Sequence, residues 1–203
     1  MSKVSSKISL IIALIVLISV SGFAQEKFDP YKLKTEYFSD ASIKDKLEFD
    51  HDGESFKIVN TESTKGLKIK HKGSWKYHGI VYKYYKGKLS SQTNYYYGAK
   101  EGEYKSFNSK GQLKFHYYFK NNKKHGNWTQ YTDKGKLFQE YIYENDKKHG
   151  KSTMYHSNGQ PQFVKTWVNV KVHGESLHYN DKGKLVSKKV YDMGNQVGKT
   201  QSF

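Results

Sequence analysis

Four histidines, His78, His125, His149 and His173, each stand directly before a glycine, at positions that recur along the chain. Regularly placed imidazoles suggest a metal site or a general base. Spacing argues against both readings. Were these residues equivalent positions of successive hairpins, they would lie two strands apart, roughly 9.5 Å, whereas zinc holds each ligand at about 2 Å. His173 and His178 fall on opposite faces of a regular strand. The chain has no cysteine, no Gly-x-Ser-x-Gly elbow, no phosphate-binding loop and no zinc-protease helix signature. Sequence therefore assigns no catalytic residue, no metal ligand and no cofactor, and the histidines are expected to serve a connecting turn.

A second kind of chemistry, flat apolar rings beside positive charge, is better represented. Tyr104, Tyr118 and Trp128 fall out of step with the aromatics that recur in phase, and Lys123 and Lys124 lie between the last two of these rings. If Phe119 faces Asn127 across the intervening turn, Tyr118 lies directly opposite Trp128. The five residues then form a ligand platform suited to glycan stacking or an interfacial lipid contact. A covering N-terminal segment would instead make the rings ordinary core.

The elements that must carry these residues are written in the glycine spacing. Gly79, Gly102, Gly126, Gly150, Gly174 and Gly198 follow one another at intervals of 23 and then 24 residues. Five residues after the first five of them stand Tyr84, Phe107, Tyr131, Tyr155 and Tyr179. A glycine-containing turn follows each, such as Asp133-Lys134-Gly135, and then Leu89, Leu113, Leu137, Pro161 or Leu185. A second aromatic comes next, at Tyr95, Phe119, Tyr143, Trp167 and Tyr191, and three residues later Gly98, Asn122, Asp146, Val170 or Gly194 marks a further turn. Each unit reads as strand, tight turn, strand, connecting turn. The expected fold is all-β, one elongated twisted antiparallel meander of at least ten strands built from hairpins of about 24 residues. Tyr131 opposite Leu137 is expected on the more buried face.

The run Tyr143-Glu-Asn-Asp-Lys-Lys-His-Gly150, followed by Tyr155 and Gly159, resembles the MORN-type repeat (membrane occupation and recognition nexus) in its bacterial variant. The resemblance extends from about Gly73 to the end of the chain and departs from the pattern at Pro161 and Val170. It implies a β-meander acting as a binding or scaffolding module, with membrane association in some members.

Upstream, Lys3 and Lys7 precede the apolar run from Ile8 to Val20, and Gly22 and Ala24 precede Gln25. This order is that of a signal peptide over residues 1–24, cleaved near Ala24, because the run is shorter than the ~20 residues of a spanning helix. Residues 25–66 read as an N-terminal flank or cap, with a short helix at 40–47 and a strand at 55–60, and 67–203 as the hairpin repeats. An extracytoplasmic location follows: periplasm, cell surface or secretion.

The formal charge of the chain is +16. Without Lys3 and Lys7, 33 basic residues remain against 19 acidic ones, a formal +14. Such a field favours an anionic partner. All the basic residues are lysine, so the bidentate forks that read bases are missing and sequence-specific nucleic-acid recognition is not expected. Composition and pattern thus point to a non-enzymatic module at the cell envelope that binds anionic lipid head groups, with peripheral membrane contact, or glycan. The alternative is a protein-interaction scaffold, including one that neutralises a partner as an antitoxin does.

Overall fold

The computed structural model describes residues 45, 46, 48–51 and 53–203, in which every regular element is a β-strand. The leader and cleavage site expected over 1–24 lie outside the described residues, as do the flank up to 44 and most of the helix expected at 40–47. The strands are β1 (Glu48–His51), β2 (Glu54–Asn60), β3 (Thr64–His71), β4 (Ser74–Tyr85) and β5 (Lys88–Tyr96). There follow β6 (Ala99–Phe107), β7 (Leu113–Lys120), β8 (Lys123–Tyr131), β9 (Leu137–Glu144) and the short β10 (Lys147–Lys148). The series ends with β11 (Gly150–Tyr155), β12 (Pro161–Val168), β13 (Lys171–Tyr179), β14 (Leu185–Asp192) and β15 (Asn195–Ser202). Each pairs antiparallel with its neighbours in chain order, β10 and β11 both lying against β9. The expected meander is present.

Two turn types alternate because their residues permit two different backbone paths. Connecting turns are two-residue loops with both residues left-handed, as at Asn121 and Asn122 (φ 50° and 68°) and Asn145 and Asp146 (φ 49° and 68°). That is the pattern of the type I′ hairpin, whose twist matches the strands it joins. The wider turns close on Thr132 or its equivalents: Gly135 N–H donates to Thr132 O at 2.9 Å, and Thr132 N–H donates to Lys136 O at 2.8 Å. Adjacent tips are tied to each other, Lys136 Nζ donating to Ser157 O at 2.7 Å and Asn158 Nδ2 to Asp181 O at 2.6 Å.

The repeat glycines stand inside strands rather than in the connecting turns. Gly126 and Gly150 have φ of 80° and 71° and face Tyr143 and Trp167 across the ladder. At each of them the pairing slips. Tyr117 faces Trp128, yet Phe119 faces Lys124, so three residues of β8 oppose one of β7. A bulge of this kind needs a left-handed residue, which glycine supplies without a Cβ clash.

The hydrophobic core lies at the N-terminal end on one face. Phe56, Ile58, Leu67, Ile69 and Tyr82 are buried together, with Ile80, Tyr84, Leu89 and Tyr97 packed against them. Burying Leu67 or Ile69 fully contributes about 1.5–3 kcal/mol. The strand expected at 55–60 is β2, and it delivers Phe56 and Ile58 to this cluster by simple alternation.

Candidate functional site

Beyond the core the sheet continues as one layer, and the ladder register sorts its side chains. Tyr104 faces Tyr117, Tyr117 faces Trp128, and Trp128 faces Tyr141, so these rings share a face with Phe119, Tyr143 and Trp167. The other in-phase set, Phe107, Tyr131, Tyr155 and their equivalents, lies on the opposite face with Glu103, Glu140 and Thr153. The hydrophobic core with Tyr84 and Leu89 lies on the Tyr131 and Leu137 face, as expected, whereas in these units neither face is consistently the more buried, Thr153 on that face being 5% exposed and Ser152 on the ring face 7%. Phe119 on the ring face is 8% exposed, whereas Tyr118 and Ile142 on the other are 39% and 40% exposed.

The rings form two groups in a row, joined by Lys124, which lies over Tyr117 in one and Tyr143 in the other. Tyr104 stacks on Tyr117 with centroids 4.4 Å apart, and Tyr117 meets Phe119 at 5.3 Å. Trp128 lies 5.5 Å from Phe115, 5.4 Å from Tyr141 and 6.5 Å from Tyr143, and Tyr141 lies 6.5 Å from Trp167. Edge and tilted contacts of this kind each add about 0.5–1.5 kcal/mol beyond area burial. Trp167 is aimed by its indole N–H, which donates to Ser152 Oγ at 2.8 Å. Tyr141 donates to Gln139 Oε1 at 3.0 Å.

Into this row the strands place one lysine per unit. Lys100 Nζ sits 4.9 Å from the Phe119 ring centre, Lys124 Nζ 5.5 Å from Tyr117 and 5.3 Å from Tyr143, and Lys148 Nζ 3.7 Å from Tyr141 and 5.0 Å from Trp167. Backbone clamps hold these lysines in place. Asn122 donates its N–H to Lys100 O at 2.9 Å while its Oδ1 accepts from Lys100 N–H at 2.8 Å. Asp146 does the same for Lys124, at 2.9 and 2.8 Å. Val170 has only its N–H to offer Lys148 O, at 3.0 Å.

The electrostatics follow from this packing. Burial, then the neighbouring ammonium groups of Lys124 and Lys165, push the Lys148 amine below its ordinary range. Burial first, then Tyr104 and Tyr143, push the Tyr117 hydroxyl well above the ordinary tyrosine value. The register gives the ring face Lys165 and Lys189 as well, whereas Glu103, Glu140 and Glu175 are on the other side. Among the described residues Lys100, Lys124, Lys148 and Lys165 form no ion pair.

Of the five platform residues read from sequence, Tyr104, Trp128 and Lys124 come together on this face. Tyr118 does not face Trp128: it projects from the opposite face, 5.2 Å from His116. Lys123 stands exposed opposite Lys120 at the hairpin end. The cause is the short two-residue turn combined with the glycine bulge, which sets Tyr117 rather than its neighbour across from Trp128. Tyr117, Tyr141, Tyr143, Lys148 and Trp167 were missed, although a lysine two residues before Gly102, Gly126 and Gly150 was a visible signal for the row.

Three of the residues that precede a repeat glycine, His78, Glu101 and His173, cap the connecting turn of the following hairpin, whereas His125 Nδ1 is buried without a hydrogen-bond partner among the described residues. His78 Nδ1 accepts the Tyr97 N–H at 3.4 Å, Glu101 Oε2 the Asn121 N–H at 2.7 Å, and His173 Nδ1 the Met193 N–H at 3.5 Å. This gives His78 and His173 of the four patterned histidines a turn-capping role; among the described residues no group of three or more metal-ligating side chains gathers.

No curated protein matches the chain. Among solved structures, the crystal structure of TarM is 13% identical, with 50% of this chain and 19% of that chain covered and a TM-score of 0.35. The GtfA/B complex bound to UDP and GlcNAc is 12% identical, with 87% and 36% covered and a TM-score of 0.18. The chain thus spans about a fifth to a third of the length of these structures. The family model for the MORN repeat variant matches residues 100–121, 124–145 and 148–169. Each match opens on one of the row's lysines and encloses the ring that receives it, so residues 100–169 are similar to three consecutive MORN-variant repeats.

Proposed function

We propose that this protein is an exported, non-enzymatic binding module of the cell envelope whose ring-and-lysine face engages an anionic component, a lipid head group or an acidic glycan. MORN repeats support a binding role in general. The observation that carries the finer reading is the segregation of charge: one sheet face holds Lys100, Lys124, Lys148, Lys165 and a row of aromatic rings, with the strand carboxylates Glu103, Glu140 and Glu175 on the other. Long lysine stems covering rings while their ammonium groups reach water are well suited to a ligand that is both flat and negatively charged. The signal-peptide pattern of residues 1–24 supports export and a partner outside the cytoplasm.

Retention of the protein on acidic polysaccharide and on vesicles containing phosphatidylglycerol tests this reading. Binding to at least one material is expected, weakening as salt rises from 50 to 300 mM. Lys124→Met with Lys148→Met keeps the aliphatic cover of the rings and should reduce binding about tenfold or more. Binding that ignores both salt and these substitutions would overturn it.

The scaffold reading rests on a different feature. Tyr118, Ile142 and Val190, spaced by 24 or 48 residues, are 39%, 40% and 39% exposed on the opposite face. A protein partner docked there would bind independently of Lys124 and Lys148, and Ile142→Asp would abolish the contact.

A further inference from the structure

We infer that the ring-and-lysine face is a ruler for one linear acidic polysaccharide chain, which runs across the strands and places successive acidic sugars on successive repeat units. The inference rests on the reading of this face as the binding surface, and it names the ligand as a polymer rather than a single head group.

Each unit contributes the same cell: an ammonium over the second aromatic of its own repeat, at Lys100 and Phe119, Lys124 and Tyr143, and Lys148 and Trp167. Cells are two strands apart, roughly 9.5 Å, a step that two linked pyranose rings span. Between neighbouring ammonium groups lie further rings, Tyr117 touching the Lys124 ammonium and Tyr141 that of Lys148. The row therefore offers alternating charge and flat apolar surface along its length. A polysaccharide with an acid on alternate sugars offers the complementary alternation. Lys100, Lys124, Lys148 and Lys165 form no ion pair among the described residues, so the row's positive charge is left for a ligand to neutralise.

Shape discriminates against the other anionic surfaces. Adjacent strands rotate by about 20–25°, which turns consecutive cells by about 40–50° relative to one another. A planar bilayer meets one cell of such a face at a time, whereas a chain with rotatable glycosidic bonds follows all three. Nucleic acid carries a phosphate on every nucleotide, about 3.4 Å apart along each strand of a duplex, far denser than one lysine per cell.

Calorimetric titration of the mature chain with oligouronates of two, four, six and eight sugars tests the ruler. Affinity should rise about tenfold with each added pair of sugars up to six and then level off, the avidity expected of linked sites. Duplicating residues 124–147 adds one cell and should move that plateau to eight. Lys124→Met, folded by circular dichroism, should bring the six-sugar ligand down to about the affinity of the four-sugar one. Equal affinity for all lengths would overturn the ruler while leaving a single-site binding module. Absence of uronate binding together with tight, salt-sensitive binding of phosphatidylglycerol vesicles would overturn the polysaccharide and leave the envelope reading. Tighter binding of an oligothymidylate of matched length would overturn both. Failure to bind uronates, vesicles and oligothymidylate alike would remove the binding face itself.

Discussion

Val170 shows how one residue can depart from its repeat at a cost. Its φ is 68°, a region that a β-branched side chain enters only with strain, where Asn122 and Asp146 sit without difficulty and also accept a hydrogen bond from Lys100 or Lys124. Val170→Asn should therefore stabilise the protein by about 1–2 kcal/mol, read as a higher denaturant midpoint; an unchanged midpoint would show that the neighbours already absorb the strain. His78 carries the clearest pH dependence. It is 3% exposed beside Phe56, Tyr96 and Tyr97, and burial, partly opposed by Glu54, lowers its pKa from the ordinary 6.5. Below that value the unfolded chain binds the proton more readily than the folded one. Stability is thus full above about pH 6.5 and declines on acidification until the folded pKa is reached. His78→Gln should flatten this part of the profile in denaturant titrations between pH 5 and 8. The histidine periodicity was legible in sequence, but its meaning was not: imidazole Nδ1 atoms that accept turn N–H groups are visible only once the turn lies beside the strand.

At the scale of the element, the glycine bulge determines which side chains meet. A Cβ on Gly150 would approach Ile142 Cδ1 to 3.4 Å, a contact that bends easily, so the cost of substitution comes from the backbone at φ 71°. Gly150→Val should destabilise by about 1–3 kcal/mol. It should also disturb the ring row, because the bulge is what lets the Lys148 and Trp167 positions share a face. Tryptophan fluorescence of a variant retaining Trp167 alone would record that displacement; loss of stability with an unmoved spectrum would confine the effect to the backbone. Strands and turns were readable from aromatic spacing and turn chemistry, since both are local properties. Register across the connecting turn was not: the slip between Tyr117 and Phe119 depends on how many residues of β8 the bulge takes up. That slip is why Tyr117, rather than Tyr118, faces Trp128.

For the molecule as a whole, stability is graded along the sheet. The N-terminal end contains Leu67, Ile69 and Val81 at 2% exposure or less, while every residue of β15 is exposed. In an array where each strand touches only its neighbours, such differences persist as local stabilities. Amide hydrogen exchange should be slowest in β3 and β4, intermediate in β6–β12 and fastest in β15; uniform protection would mean that the sheet unfolds as one unit. The sequence by itself determined the period, the alternation of two turn types, the all-β meander and its surplus of lysine, because these follow from backbone preference and composition. Only the tertiary structure decided that the two in-phase aromatic sets lie on opposite faces, that Lys100, Lys124 and Lys148 reach rings of neighbouring strands, and that the carboxylates Glu103, Glu140 and Glu175 are absent from that side. The physical reason is that the face of a strand residue depends on the parity of every pairing between it and its partner, and a two-residue turn followed by a bulge changes that parity with little trace in composition or spacing.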